Sequence, residues 1–203
     1  LAVAVMLGQK LTDLEYGTGL YKRAEKYAVK VPVFSNAKLT DVDVALGPEM
    51  RSTGEVLGID ENLEKALYKG FLAANMNIPV EGGVFVALRD SEKNDRTIST
   101  IKKYKHAGFM VYSSKGTTNF LNDNGIEATN ITYEKAKQYI GNEIVCVINI
   151  PKIGNRTESE GFALRRKAIE WGLPVLTCMD TADAFMTAIK LKQAGTRLDY
   201  NPL

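Results

Sequence analysis

From residue 84 onward the chain alternates short apolar, β-branched runs with amphipathic stretches, and no other feature narrows its fold as far. The runs fall at 84–88, 109–112, 128–132, 144–150 and 174–178. Strands this poor in polar alternation belong in a sheet covered on both faces. Between and after them, apolar residues recur at helical spacing: Ile98, Ile101 and Tyr104; the stretch 117–124; the stretch 134–140; Leu164, Ala168 and Trp171; and Ala182, Phe185, Met186 and Ile189. The alternation predicts an α/β fold built on a five-stranded, doubly wound parallel sheet, and about 110 residues suffice for one such core.

Upstream of residue 80 the pattern changes. Residues 1–11 read as the last turns of a helix, and 29–34 alternates like a strand around Pro32. Gly47-Pro48-Glu49-Met50-Arg51-Ser52-Thr53-Gly54-Glu55 is dense in turn formers and reads as a shaped loop. From Asn62, the residues Leu63, Ala66, Leu67, Phe71 and Ala74 mark a helix, followed by a linker ending at Gly82-Gly83. The expected division is a smaller α+β unit over 1–80 and the parallel-sheet domain over 81–203, closing on a polar tail at 198–203. A chain that opens in mid-pattern on Leu1 reads as a piece of a longer polypeptide.

Charge and cysteine content exclude several classes. A net charge of +2 from 26 basic and 24 acidic residues argues against a broadly basic nucleic-acid binder and leaves room only for a local anion pocket. The longest apolar stretch, at 1–7, is far short of the roughly 20 residues a spanning helix needs, so no membrane partner is expected. Cys146 and Cys178 lie in apolar runs without a C-x-x-C spacing and read as reduced core thiols of a cytoplasmic protein.

Ligands of open parallel sheets bind beyond the carboxyl ends of the strands. Lys93 follows the first run, and Ser113-Ser114-Lys115-Gly116-Thr117-Thr118 follows the second while opening a helix. Hydroxyls, a glycine and free amides at a helix N-terminus suit a phosphate or carboxylate. The same residues read equally well as an N-cap and turn with a solvated lysine. Asn149, closing the fourth run, either reaches that crevice or forms a turn. His106, the single histidine, falls among lysines at a helix end. Arg165-Arg166-Lys167 reads first as an exposed helix face, with an inward reach to an anion as the alternative, Trp171 as core rather than a ligand platform, and Asp180 and Asp183 as N-terminal helix charges.

The string Leu46-Gly47-Pro48-Glu49-Met50-Arg51-Ser52-Thr53-Gly54-Glu55-Val56-Leu57-Gly58, with Val31-Pro32-Val33-Phe34 before it, resembles the end of the second ATP-grasp unit of carbamoyl-phosphate synthase large subunits. The second half is similar, in order and register, to the same family's C-terminal methylglyoxal-synthase-like regulatory domain. The matching positions are Gly82-Gly83, Gly108-Phe109, Ser114-x-Gly116-Thr117, Val147-Ile148-Asn149, Leu164-Arg165-Arg166-Lys167-Ala168, and Gly172-Leu173-Pro174 leading to Asp180-Thr181-Ala182.

The resemblance implies a parent ligase making carbamoyl phosphate from bicarbonate, glutamine and two ATP, for arginine and pyrimidine synthesis. ATP and Mg or Mn would then be held upstream of residue 1, by the remainder of the large subunit, beside a small glutaminase subunit. The 203 residues alone would carry no catalytic residue and no cofactor. What they would carry is a site for a small anionic effector, a nucleotide or an N-acylglutamate, formed by Lys93, Ser114, Lys115, Thr117, Tyr133 and Asn149. Three departures matter. Thr132-Tyr133 stands where nucleotide-regulated members place a lysine, which looks more like the acylglutamate-binding relatives. Ala28 replaces an acid of the ornithine-responsive members. Ile150-Pro151-Lys152-Ile153-Gly154 replaces the G-G-D of free-standing methylglyoxal synthases, which disfavours the alternative of a small lyase. A further alternative is a purely structural assembly domain with a decayed pocket.

Overall fold

In the computed structural model, which describes residues 1–15, 19–20, 22–35, 43–45, 50–151 and 159–199, the elements run in the order the alternation predicts. A short helix α1 (Ala2–Met6) precedes the strands β1 (Tyr27–Val33) and β2 (Gly54–Asp60) and the helix α2 (Leu63–Ala73). Then come β3 (Gly83–Ala87), α3 (Asp95–His106), β4 (Met110–Ser113), α4 (Lys115–Asp123), β5 (Thr129–Asn130) and α5 (Tyr133–Tyr139). The series ends with β6 (Ile144–Asn149), α6 (Glu160–Glu170), β7 (Val175–Leu176) and α7 (Met179–Gln193).

The large sheet has the order β5-β4-β3-β6-β7 with every pair parallel. Its two faces are read directly from residue parity. Val84 and Val86 of β3 face a core shared with Ile101 and Tyr104 of α3, Leu121 of α4 and Phe185 of α7. Phe85 and Ala87 face the other core, with Ala136 of α5 and Leu164 and Ala168 of α6. Period-2 alternation between two buried faces is why the strands lack polar residues. A bulge, where Gly83 pairs with Ile144 but Val84 with Cys146, puts one extra residue into β6. Asn62, Asn94, Thr132 and Ser159 each cap their helix by accepting the backbone N–H three residues on.

The segment expected to be a loop ends differently. Residues 46–49 lie outside the described residues, but Gly54–Asp60, at the end of the loop-like string, is a strand antiparallel to β1, with Val31 opposite Val56 and Val29 opposite Gly58. Pairing with a strand some 27 residues earlier overrides local turn propensity. The small sheet lies against α2 because two glycines permit it. A Cβ on Gly58 would strike the Ala66 carbonyl oxygen and the backbone of Gly70, and one on Gly70 would come 2.8 Å from Val31. Gly58→Ala should therefore cost about 1–3 kcal/mol by overpacking. Urea unfolding measures it, and a loss under about 0.5 kcal/mol would mean strand and helix do not approach this closely.

Helix α2 joins the two sheets. Tyr68 and Phe71 belong to the same apolar cluster as Val31 on one side and Phe185 on the other, and the Phe71 and Phe185 rings meet edge to face at 5.3 Å. Cys178 corrects the expectation of two core thiols. Cys146 is buried, where burial pushes its thiol pKa up, whereas Cys178 is exposed at the N-cap of α7. Trp171 is corrected too: α6 stops at Glu170, so the indole becomes the C-cap, 58% exposed, and lies over Gly141, where a Cβ would collide with it. Among the described residues no helix is long and apolar enough to cross a membrane.

Candidate functional site

The crevice sits where β3's two neighbours diverge, β4 leading to one edge of the sheet and β6 to the other. Ser114 is the N-cap of α4, but its hydroxyl makes no cap; it donates to Thr117 Oγ1 at 3.2 Å. Thr117 is buried and its Oγ1 also accepts the Leu88 N–H at 3.0 Å, tying the end of β3 to the first turn of α4. In that turn the Thr117 N–H already donates to the Ser114 carbonyl at 2.9 Å, so the amides that helix geometry leaves to a ligand are those of Lys115 and Gly116. Lys93 stands over it, its Nζ 3.6 Å from where a Gly116 Cβ would be. Its side chain is only 23% exposed and pairs with Asp90 at 2.7 Å, so it is less solvated than a post-strand lysine suggests. Lys115, the first residue of α4, is exposed.

Tyr133 opens α5 with its ring edge to face on Phe85 at 5.5 Å and its hydroxyl within reach of the Asn149 and Ser114 side chains. Burial pushes the phenol above its usual range and Glu160 adds to the shift, while hydrogen bonding to Asn149, the Arg165 charge and Ser114 pull back. Asn149, at the end of β6, is 3% exposed. Lys93, Ser114, Thr117, Tyr133 and Asn149 thus meet around one helix N-terminus, with Lys115 at its rim.

The sequence reading missed the strongest charge in this crevice. Arg165 is 1% exposed rather than on a solvated face. Its Nη1 donates to Asn149 Oδ1, and its Nε donates to Asp43 Oδ1 at 2.9 Å while Nη2 reaches Asp43 Oδ2. Arg166 is buried as well, against Glu170. A signal existed: the buried face of α6 runs through Leu164, Arg165 and Ala168, and only the false anchor of Trp171 rotates the stripe away from Arg165. Nothing local marks Asp43, 122 residues away.

The remaining candidates fall elsewhere. His106 ends α3, which runs back from the strands' carboxyl ends, so it sits exposed at the far end of the sheet from the crevice. Asp180 pairs with Arg96, and Asp183 holds Lys103 at 2.5 Å, binding α3 to α7. A cleft of about 310 Å³ opens between those helices, lined by Arg89, Arg96, Thr97, Thr177 and Cys178 and by none of the expected site residues. Among the described residues no three His, Cys, Asp or Glu side chains gather as a metal would require. Residues 152–154 of the Ile150-to-Gly154 string lie outside the described residues.

A family model described as "MGS-like domain" matches residues 96–177, which takes in every crevice residue except Lys93 and Asp43. Over its whole length the chain is 45% identical to a carbamoyl phosphate synthase large chain of Clostridium acetobutylicum, and covers 19% of that protein. The chain is similar to the carbamoyl phosphate synthase large chains. Large chains of Clostridium botulinum, at 43% identity over 95% of this chain, and Lachnoclostridium phytofermentans, at 38% over 94%, show the same likeness. The chain spans about a fifth of the length of these curated relatives, and its parallel sheet with flanking helices is the MGS-like part.

Proposed function

We propose that the chain is the effector-binding part of a carbamoyl phosphate synthase large chain, with residues 81–203 holding a small anion and residues 1–80 closing the ATP-grasp unit of the parent ligase. The observation that carries this reading is the convergence of Lys93, Ser114, Thr117, Tyr133 and Asn149 on the first turn of α4, inside or beside the stretch matched as MGS-like. Amides, hydroxyls, a side-chain amide and the Lys93 ammonium, with the Arg165 guanidinium behind Asn149, suit a carboxylate or phosphate. Tyr133 supplies an apolar wall with a polar tip where nucleotide-regulated members place a lysine, which favours an N-acylglutamate over a nucleotide phosphate. ATP, Mg or Mn, bicarbonate, and glutamine delivered through a glutaminase subunit belong, on this reading, to the rest of the cytoplasmic parent, which serves arginine and pyrimidine synthesis.

Occupancy acts on the parent only if the effector prefers one arrangement of the two units. One observation favours the second reading, a domain that merely supports assembly: the crevice's most buried cation is already engaged by Asp43. Calorimetry with UMP, IMP, phosphoribosyl pyrophosphate, ornithine, arginine and N-acetylglutamate separates the two, because an assembly domain binds none of them. For the effector that binds, Lys93→Ala should weaken affinity about tenfold. That is the low end for a charge-assisted contact, since Asp90 already takes part of the lysine's charge. Unchanged affinity would move the site away from this crevice.

A further inference from the structure

Resting on the effector reading, we propose that Asp43 is a built-in counter-anion of the crevice, an internal carboxylate that neutralises Arg165 and so sets how tightly an external anion is held. The geometry is that of a filled anion site. Arg165 is almost fully desolvated, and Asp43 meets it with both oxygens on Nε and Nη2, the two-pronged fit a guanidinium offers to carboxylates generally. Asp43 is itself held in place: the Ala45 N–H donates to its Oδ1 at 3.1 Å, and Arg51 donates to its carbonyl at 2.9 Å. Its side chain is 15% exposed, so water does little to screen the pair.

The third arm of Arg165 points the other way, into the crevice, where Nη1 holds Asn149 Oδ1 and Asn149 in turn lies within reach of Tyr133. The guanidinium therefore joins a short segment between β1 and β2 to the wall of the proposed effector site. An anion that draws Arg165 toward Asn149 must weaken its hold on Asp43. Conversely, a movement of the small sheet that withdraws Asp43 leaves an unpaired cation beside the crevice and raises its affinity for anions. Coupling of this kind is reciprocal by thermodynamic necessity.

The test uses pyrophosphate, UMP and N-acetylglutamate as probes, titrated by calorimetry at fixed ionic strength into the parent 203-residue chain, Asp43→Asn, and a control, Glu55→Gln, which removes an exposed carboxylate paired with Lys30 on the small sheet. Asp43→Asn should bind at least one probe about five- to tenfold more tightly than the parent, with a steeper loss of affinity on adding salt, while Glu55→Gln stays at the parent value. A merely structural ion pair predicts the opposite sign, since loosening Arg165 would disorder Asn149 and weaken binding. If Asp43→Asn does not fold, hydrogen exchange in the unaltered chain decides. A saturating probe should speed exchange of the Ala45 amide while leaving Ile144–Asn149 of β6 protected, and unchanged or greater protection at Ala45 overturns the proposal. Binding by the parent with no gain in Asp43→Asn sinks the counter-anion and leaves the effector reading standing. Binding by neither sinks both.

Discussion

Replacing Arg165 by leucine is expected to remove about 3–5 kcal/mol of folding stability, the usual consequence of deleting one partner of a buried ion pair. The loss has three sources in the structure. Asp43 loses its two-pronged partner in a place that is only 15% exposed, Asn149 Oδ1 loses its donor, and the space the guanidinium filled collapses incompletely. For a chain of this length the melting temperature should fall by roughly 6–20 °C. Thermal and urea unfolding measure it. A loss below about 1 kcal/mol would place the guanidinium in water and return α6 to the exposed-face reading.

Phe85→Ala should cost as much, about 3–5 kcal/mol, by a different route. Phe85 lies on the central strand with no exposed surface, in the core beneath α5 and α6, and its ring supports Tyr133 edge to face. Truncation opens a cavity and also removes the surface that holds the Tyr133 hydroxyl toward Asn149 and Ser114. Stability and effector affinity should therefore fall together. Phe85→Leu, which keeps most of the volume but not the ring edge, should cost less than about 1.5 kcal/mol and still weaken binding. If Phe85→Leu bound the effector as the parent does, Tyr133 would not owe its position to this ring.

The architecture was legible because it is written in periodicities. Residues 84–87 have both faces buried, and the residue types alternate accordingly without a polar break, so five strands and their helices could be read at nearly the observed positions. The crevice was legible for a related reason: in a parallel sheet the residue after each strand lies at one end of the domain, so Lys93, Ser114 and Asn149 share a neighbourhood whatever the details. What stayed hidden was long-range. The start of strand β2, Gly54 and Glu55, looks like loop until β1 pairs with it, and Asp43 has no meaning until Arg165 is placed opposite. Arg165 itself was hidden by a general truth, that arginines are seldom buried, which fails when a carboxylate and an amide come to meet the guanidinium. Trp171 misled in the converse way, since its size argues for the core while its position past the last helical residue leaves it outside.

Helix α2, wedged between both sheets, limits how this fold can be transplanted. Anyone grafting the parallel-sheet half into another protein would be drawn to cut at the Gly82-Gly83 pair, where the composition changes. Such a graft would leave Phe185 bare of Phe71, and would free the Lys192 and Gln193 side chains of α7 from the carbonyls of Ile78 and Val80, which they hold at 2.5 and 2.6 Å. An uncovered apolar stripe on a 15-residue helix is an adhesive surface. A graft that keeps β1, β2 and α2 keeps the cover on α7, whereas one shuffled at the glycines would be a sticky recombinant.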